Sequence, residues 1–156
     1  MELLKREGSF EAVHVPYRGF PPAVTDMLAG NIQAMFAIIP GVLPHVRAGK
    51  MKALAVTALK RNALAPEVPS VGELGFPQLE SLAWIGLLAP AATPPEVLER
   101  LSAETIRSMQ AAAVRELLGK QGFEVVASPP ADFRRWIHAE SEKWSRVIRA
   151  SGATVD

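Results

Sequence analysis

The chain contains no cysteine. That excludes disulfides, thiolate metal sites and a cysteine nucleophile, while leaving the redox compartment open. It also lacks an excess of charge: 17 Lys and Arg stand against 16 Asp and Glu, for a net +1. No electrostatic argument for nucleic acid or an anionic membrane follows from that balance. Long apolar runs are missing too. The stretch 34–46 is broken by Pro40, Gly41 and Pro44, so no bilayer-spanning helix is expected. The opening Met1-Glu2-Leu3-Leu4-Lys5-Arg6-Glu7 has no apolar segment of signal-peptide type and reads as part of an amphipathic helix. Catalytic signatures are absent as well: there is no G-x-S-x-G elbow, no P-loop and no G-x-G-x-x-G. His14, His45 and His138 stand far apart with no matched acidic spacing, so no metal site is expected. Glu140 and Glu142 are two residues apart on a helix and do not face each other. Neither an enzyme nor a cofactor is expected.

What is present is apolar residue in quantity, 49% of 156 residues, enough for one ordinary domain or two small lobes. The apolar residues fall into a regular alternation. Helices are expected over 2–7, 21–29, 40–48 and 111–120, with a short one opened by Ser70-Val71-Gly72-Glu73 and stopped by Gly75, one opened by Thr93-Pro94-Pro95-Glu96 that carries Val97, Leu98, Leu101, Thr105 and Met109 on one face, and a last one after Pro129-Pro130. Strands are expected over 12–16, 32–38, 52–58, 82–89 and 123–127, several of them continuously apolar, as in a parallel sheet covered on both faces. Ser70-Val71-Gly72-Glu73 and Thr93-Pro94-Pro95-Glu96 both carry the capping-box spacing. The last helix aligns Phe133, Trp136, Ile137, Trp144, Val147 and Ile148 on one stripe, which marks Trp136 and Trp144 as core residues. His14 reads as a core or edge residue of its strand, and His138 as solvent-exposed. Strands alternating with helices make this an α/β chain with a mostly parallel sheet. A division is expected near 74–81, giving segments 1–81 and 82–156.

The run 13–57 carries the chemistry. Its first strand delivers the turn Tyr17-Arg18-Gly19-Phe20-Pro21-Pro22 onto the start of a helix. Free backbone N–H groups and the helix dipole converge at such a point and suit an anion. An ordinary strand-to-helix turn is the plainer alternative. Pro21 and Pro22 have no N–H, so Gly19, Phe20 and Ala23 are the backbone donors to consider.

Several motifs, in order, resemble one family. V-P-Y-R-G at 15–19, T-D-M-L-A-G at 25–30, L-P-H-V-R-A-G-K at 43–50 and L-A-V-T at 54–57 lead. P-E-V-P-S-V-G-E at 66–73, W-I-G-L-L-A-P-A-A-T-P at 84–94 and the closing-helix residues Ala139, Glu140, Lys143, Trp144, Val147 and Ile148 follow. Together they are similar to the extracytoplasmic solute receptors of tripartite tricarboxylate transporters, the Bug-type periplasmic binding proteins. The resemblance implies a periplasmic-binding-protein type II-like α/β fold, with mostly parallel sheets flanked by helices, in which two lobes clamp a small carboxylate. It covers only the C-terminal part of such a receptor: most of one lobe over 1–80 and a segment returning to the other lobe over 83–130. It also implies membrane transporter subunits as partners and a periplasmic setting. With no signal segment, the chain as given is expected to stay in the cytoplasm.

By the same resemblance Tyr17, Arg18, Gly19, Phe20 and Ala23 form the ligand loop, with the Tyr17 hydroxyl as a donor and Phe20 narrowing or covering the cleft. Ala37 stands where many relatives carry Asp, next to Ile38. That loss disfavours a ligand amino group and favours a plain carboxylate or a more apolar ligand. Trp84 opens the hinge strand and is read as lobe-junction packing. Half a clamp is expected to bind weakly or not at all. The rival reading is a non-binding fragment that self-associates as a homodimer to cover the missing lobe.

Overall fold

The computed structural model describes residues 1–151. Six α-helices carry the chain: α1 (Glu2–Gly8), α2 (Phe20–Ala29), α3 (Ile39–Arg47), α4 (Pro95–Gln110), α5 (Ala112–Lys120) and α6 (Pro130–Ser151). Each begins or ends where local chemistry demands. Prolines occupy the first turns of α2, α3 and α4, where a missing N–H costs nothing. Gly30 closes α2 in the left-handed conformation, its N–H bonding back to the last turn. A short 3-10 turn, Pro77–Leu79, lies against α1.

The five expected strands are not formed as strands. Among the described residues the sole β-bridge is parallel and joins Val56 to Ser70. Residues 12–16, 32–38, 82–89 and 123–127 have no regular secondary structure and no ladder between them. The reason is physical. An apolar run states that a segment seeks burial, but a strand exists only when a second segment supplies its hydrogen bonds. Within 52–58 only the end is paired: Val56 N–H donates to Pro69, Val71 N–H to Val56, and Ser81 N–H to Thr57.

Two compact units result, Met1–Trp84 and Ile85–Asp156. The division expected after residue 81 falls shortly before the observed one. The second segment as expected, 82–156, ends on residues 152–156, which lie outside the described residues. In the first unit a small core of Val56, Ala65 and Val68 holds Ile39 and Leu43 of α3 together with Ala53. That core fixes α3 and with it one side of the candidate site.

Beside it, the Ser70–Glu73 capping box closes reciprocally. Ser70 N–H donates to Glu73 Oε2 at 2.9 Å, and Glu73 N–H donates to Ser70 Oγ at 3.2 Å. The box opens a set of turns over 71–75 in place of the expected helix. Arg61 Nε grips both oxygens of Glu73, and Ser70, fully buried, donates its hydroxyl to Leu59 O. The second expected box does not form: the N-cap of α4 is Pro94, with no side-chain cap. Pro94 O instead takes the N–H groups of Val97 and Leu98.

In the second unit α4 packs against α5, and α6 stacks Phe133 on Trp136 at 6.1 Å between ring centroids. Val147 is the buried member of the α6 stripe. Trp136 and Trp144 are half-buried, short of the core position expected for them, and Ile148 is exposed. Trp144 Nε1 donates to Glu140 at 2.8 Å, which gives its polar edge a partner.

Candidate functional site

The structure brings the two expected site segments together through one side chain. The Phe20 ring, at the start of α2, lies over Gly41 in the first turn of α3. A Cβ at Gly41 would stand 2.5 Å from Phe20 Cε1, so only glycine admits the ring there. The N-terminus of α2, with Gly19 as N-cap, therefore adjoins that of α3, with Ile38 as N-cap. Neither helix has an acidic residue in its first turn. Both positive dipole ends are thus uncompensated locally.

Backbone donors at this point are few, and each can be traced. A helix leaves four N–H groups at its start without an intrahelical acceptor. In α2 these positions are Gly19, Phe20, Pro21 and Pro22. The prolines have none, and Gly19 N–H turns back onto Tyr17 O at 2.9 Å. Ala23, expected among the donors, is by register the first residue whose N–H reaches back to the N-cap carbonyl. Phe20 N–H has no backbone acceptor among the described residues. In α3 the corresponding positions are Ile38, Ile39, Pro40 and Gly41, and Gly41 N–H is taken by Ile38 O at 3.1 Å. Ile38 and Ile39 remain. Ile39 and Gly41, which the sequence reading did not single out, lie at this helix start; the signal for them was Pro40, which marks the first turn of α3 as Pro21 marks that of α2.

Tyr17 is placed differently from expectation. Its hydroxyl donates to Asp26 Oδ2 at 2.7 Å, and Asn31 Nδ2 donates to the other oxygen at 3.0 Å. The bond to Asp26 raises the Tyr17 pKa, since ionising the phenol would forfeit it. The Asp26 pKa is lowered, first by Tyr17 and then by Asn31. Tyr17 thus straps the loop to α2. Gly19 has φ 103° and ψ 175°, a conformation any other residue would adopt at a cost of about 1–3 kcal/mol. Arg18 projects from the loop, exposed, with no ion pair among the described residues. Ala37 and Ile38 are exposed, and Trp84 is half-exposed at the last position of the first unit.

Elsewhere the chemistry is thinner. A groove along α4 is lined by Pro95, Leu98, Glu99, Ser102, Ala103 and Ile106, with Pro130. Its one charged group, Glu99, would repel a carboxylate. His14 is exposed, against the core or edge position expected for it, and His45 is half-buried. His138 lies on the exposed side of α6, 3.6 Å from Glu142. Among the described residues no group of three or more His, Asp or Glu could hold a metal ion, and no helix is long and apolar enough to cross a membrane.

Residues 1–153 match the model of the tripartite tricarboxylate transporter family receptor. The chain is 37% identical over 147 residues to a UPF0065 protein from the tcbD-tcbE intergenic region of Pseudomonas sp. strain P51, covering 94% of this chain and 44% of that one. It is 35% identical to protein BugT of Bordetella pertussis over 89% of this chain and 43% of BugT. Among solved structures it resembles the periplasmic binding protein BugD, with TM-score 0.76 and 25% identity over 97% of this chain and 51% of that one. It also resembles MatC from Rhodopseudomonas palustris with bound malate, with TM-score 0.74 and 30% identity over 94% of this chain and 51% of MatC. The chain thus spans about half the length of these relatives. Its backbone follows about half of a periplasmic binding protein, and it belongs to the receptor family of the tripartite tricarboxylate transporters.

Proposed function

We propose that this chain forms the ligand-holding part of an extracytoplasmic receptor that captures a small carboxylate and passes it to the membrane subunits of a tripartite tricarboxylate transporter. The observation that carries the reading is the junction of two helix N-termini at Phe20 and Gly41, with Arg18 beside it and no acidic residue in either first turn. Amides of Phe20, Ile38 and Ile39 would accept the carboxylate oxygens, and Arg18 would add a charge-assisted bond. Ala37 leaves this end without a carboxylate, so an anion meets no repulsion and a ligand ammonium finds no counter-charge. The malate held by MatC is a ligand of this class. Binding without chemistry is the role: Tyr17 and Asp26, the shifted titratable groups near the loop, are bonded to each other. Such a receptor works in the periplasm.

The test is an amide-resolved NMR titration of the chain with malate, succinate and citrate. With three amides and one guanidinium on an open surface, we expect a Kd of roughly millimolar order. Shifts should centre on residues 18–20 and 38–41, and Arg18→Gln should remove them. Shifts centred on the α4 groove, or none at saturating acid, would overturn the reading. A micromolar Kd would mean that the site needs no opposing wall.

A further inference from the structure

The chain on both sides of α2 converges on one side chain. Asp26 opens the last turn of α2 and is half-buried. Ahead of the helix, the Tyr17 hydroxyl donates to Asp26 Oδ2 at 2.7 Å. Behind it, Asn31 Nδ2 donates to Asp26 Oδ1 at 3.0 Å, and Asn31 N–H donates to Asp26 O at 2.9 Å. Both carboxylate oxygens are thus engaged, one by the chain that enters α2 and one by the chain that leaves it.

Each partner governs one approach to the junction of Phe20 and Gly41. Tyr17 is held at two points, by its hydroxyl and by its carbonyl, which takes Gly19 N–H at 2.9 Å. Arg18 lies at the apex of that three-residue turn, so its direction follows from where Tyr17 is held. Asn31 begins the run that ends at Ile38, the N-cap of α3. Residues 32–37 make no backbone hydrogen bond among the described residues, so the run is fixed by its ends. Its far end is set by α3, whose Ile39 and Leu43 pack on the core of Val56, Ala65 and Val68. Its near end is set by Asn31 on Asp26.

Charge alone does not explain an acid at this point. A carboxylate in the last turn of a helix meets the negative end of the dipole, and its field opposes an anion bound nearby. The Asp26 pKa is nevertheless lowered, first by Tyr17 and then by Asn31, because both bonds favour the charged form. We propose that Asp26 is a positioning residue of the binding site: it ties the loop that carries Arg18 and the run that leads to Ile38 to one point of α2, without itself touching the ligand. Its purpose rests on the carboxylate reading above, while the tie exists with or without a ligand.

Two measurements separate the tie from the binding. The first, amide relaxation by NMR, needs no ligand. In the parent chain the amides of 18–20 and 31–33 should have order parameters near about 0.85. Tyr17→Phe should bring 18–20 below about 0.6 and spare 31–33, and Asn31→Ala should do the reverse. Asp26→Ala should loosen both. Asp26→Asn, whose amide can still bond both partners without the charge, should loosen neither. The second measurement is the malate Kd. Asp26→Ala should weaken binding by about fivefold or more, since both arms must then be ordered by the ligand, while Asp26→Asn should bind at least as tightly as the parent. A folded Asp26→Ala chain that melts lower but keeps the parent Kd overturns the proposal. So does Asp26→Ala with both arms as ordered as in the parent, or Asp26→Asn with both arms loosened. If Asp26→Ala does not fold, the separate effects of Tyr17→Phe and Asn31→Ala decide. If the parent binds no malate, the carboxylate reading falls, and the order parameters alone decide whether Asp26 ties the two arms.

Discussion

At the scale of single residues, the paired prolines of α2 decide how much an anion can be offered. A helix start ordinarily presents several free N–H groups, and here Pro21 and Pro22 remove two while Tyr17 O occupies a third. The site is therefore tunable by restoring a donor. Pro22→Ala returns an N–H at the third helical position, where a helix accepts non-proline residues without penalty. One charge-assisted hydrogen bond added to an exposed site should tighten malate binding by about three- to tenfold, read in the same NMR titration. An unchanged Kd would place the carboxylate away from α2. The turn at 17–20 was legible in the sequence, because Gly19 and the prolines announce a turn before a helix. The bond from Tyr17 to Asp26 was not. A phenol nine residues before a carboxylate becomes its partner only once α2 has folded back along the loop.

At the scale of elements, the α-helices that form were legible almost to their ends, whereas the short helix expected after Ser70 and the strands were not. Helix limits are written locally, in Pro at the first turn, Gly at the close and side chains repeating on one face. The pairing of a strand lies outside the strand. The two capping-box patterns sharpen the point. Ser70–Glu73 closes because Arg61 and the Leu59 carbonyl hold its members in place, whereas Thr93–Glu96 gives way to Pro94, which ends the turn before Thr93 can cap. The box that forms should matter to stability. Ser70→Ala removes a buried cap and strands the Leu59 carbonyl, at a cost of about 2 kcal/mol, measurable as a lowered urea midpoint.

Its partner Glu73 has a lowered pKa, first through the Ser70 N–H and then through Arg61. The carboxylate is thus favoured in the folded state. Its stabilisation is fully present above the ordinary glutamate value of 4.5 and is lost as pH falls through the lower folded value. Glu73→Gln should accordingly destabilise the chain at neutral pH and differ progressively less from the parent as the solution is acidified. A gap that stays constant with pH would mean that the carboxylate charge contributes nothing.

At the scale of the whole molecule, the balance of buried and exposed area sets the energetics. An extended chain of 16.8 kDa exposes about 24,000 Å², so the 11721 Å² that remain mean that about half is buried on folding, against about 70% for a domain of this length. Denaturant sensitivity follows the area released. The urea m-value of this chain should fall about a quarter below that of an ordinary domain of equal length. An m-value already normal in the lone chain would show that the exposed segments are covered in solution. This property could not be seen in the composition, since 49% hydrophobic residue looks ample. It depends on where those residues find partners.

The stretch 82–89 carries one further consequence. Its eight residues, LAWIGLLA, contain no charge and no proline, and form no regular secondary structure. Nothing in it deters one molecule from stacking on the next in register, which is the geometry from which cross-β fibres grow. The lifetime of this chain in solution is then limited by fibril nucleation. Nucleation gains steeply as concentration rises, so dilute handling and a single gatekeeping charge in this stretch would do more for its solubility than any added stability in the helices.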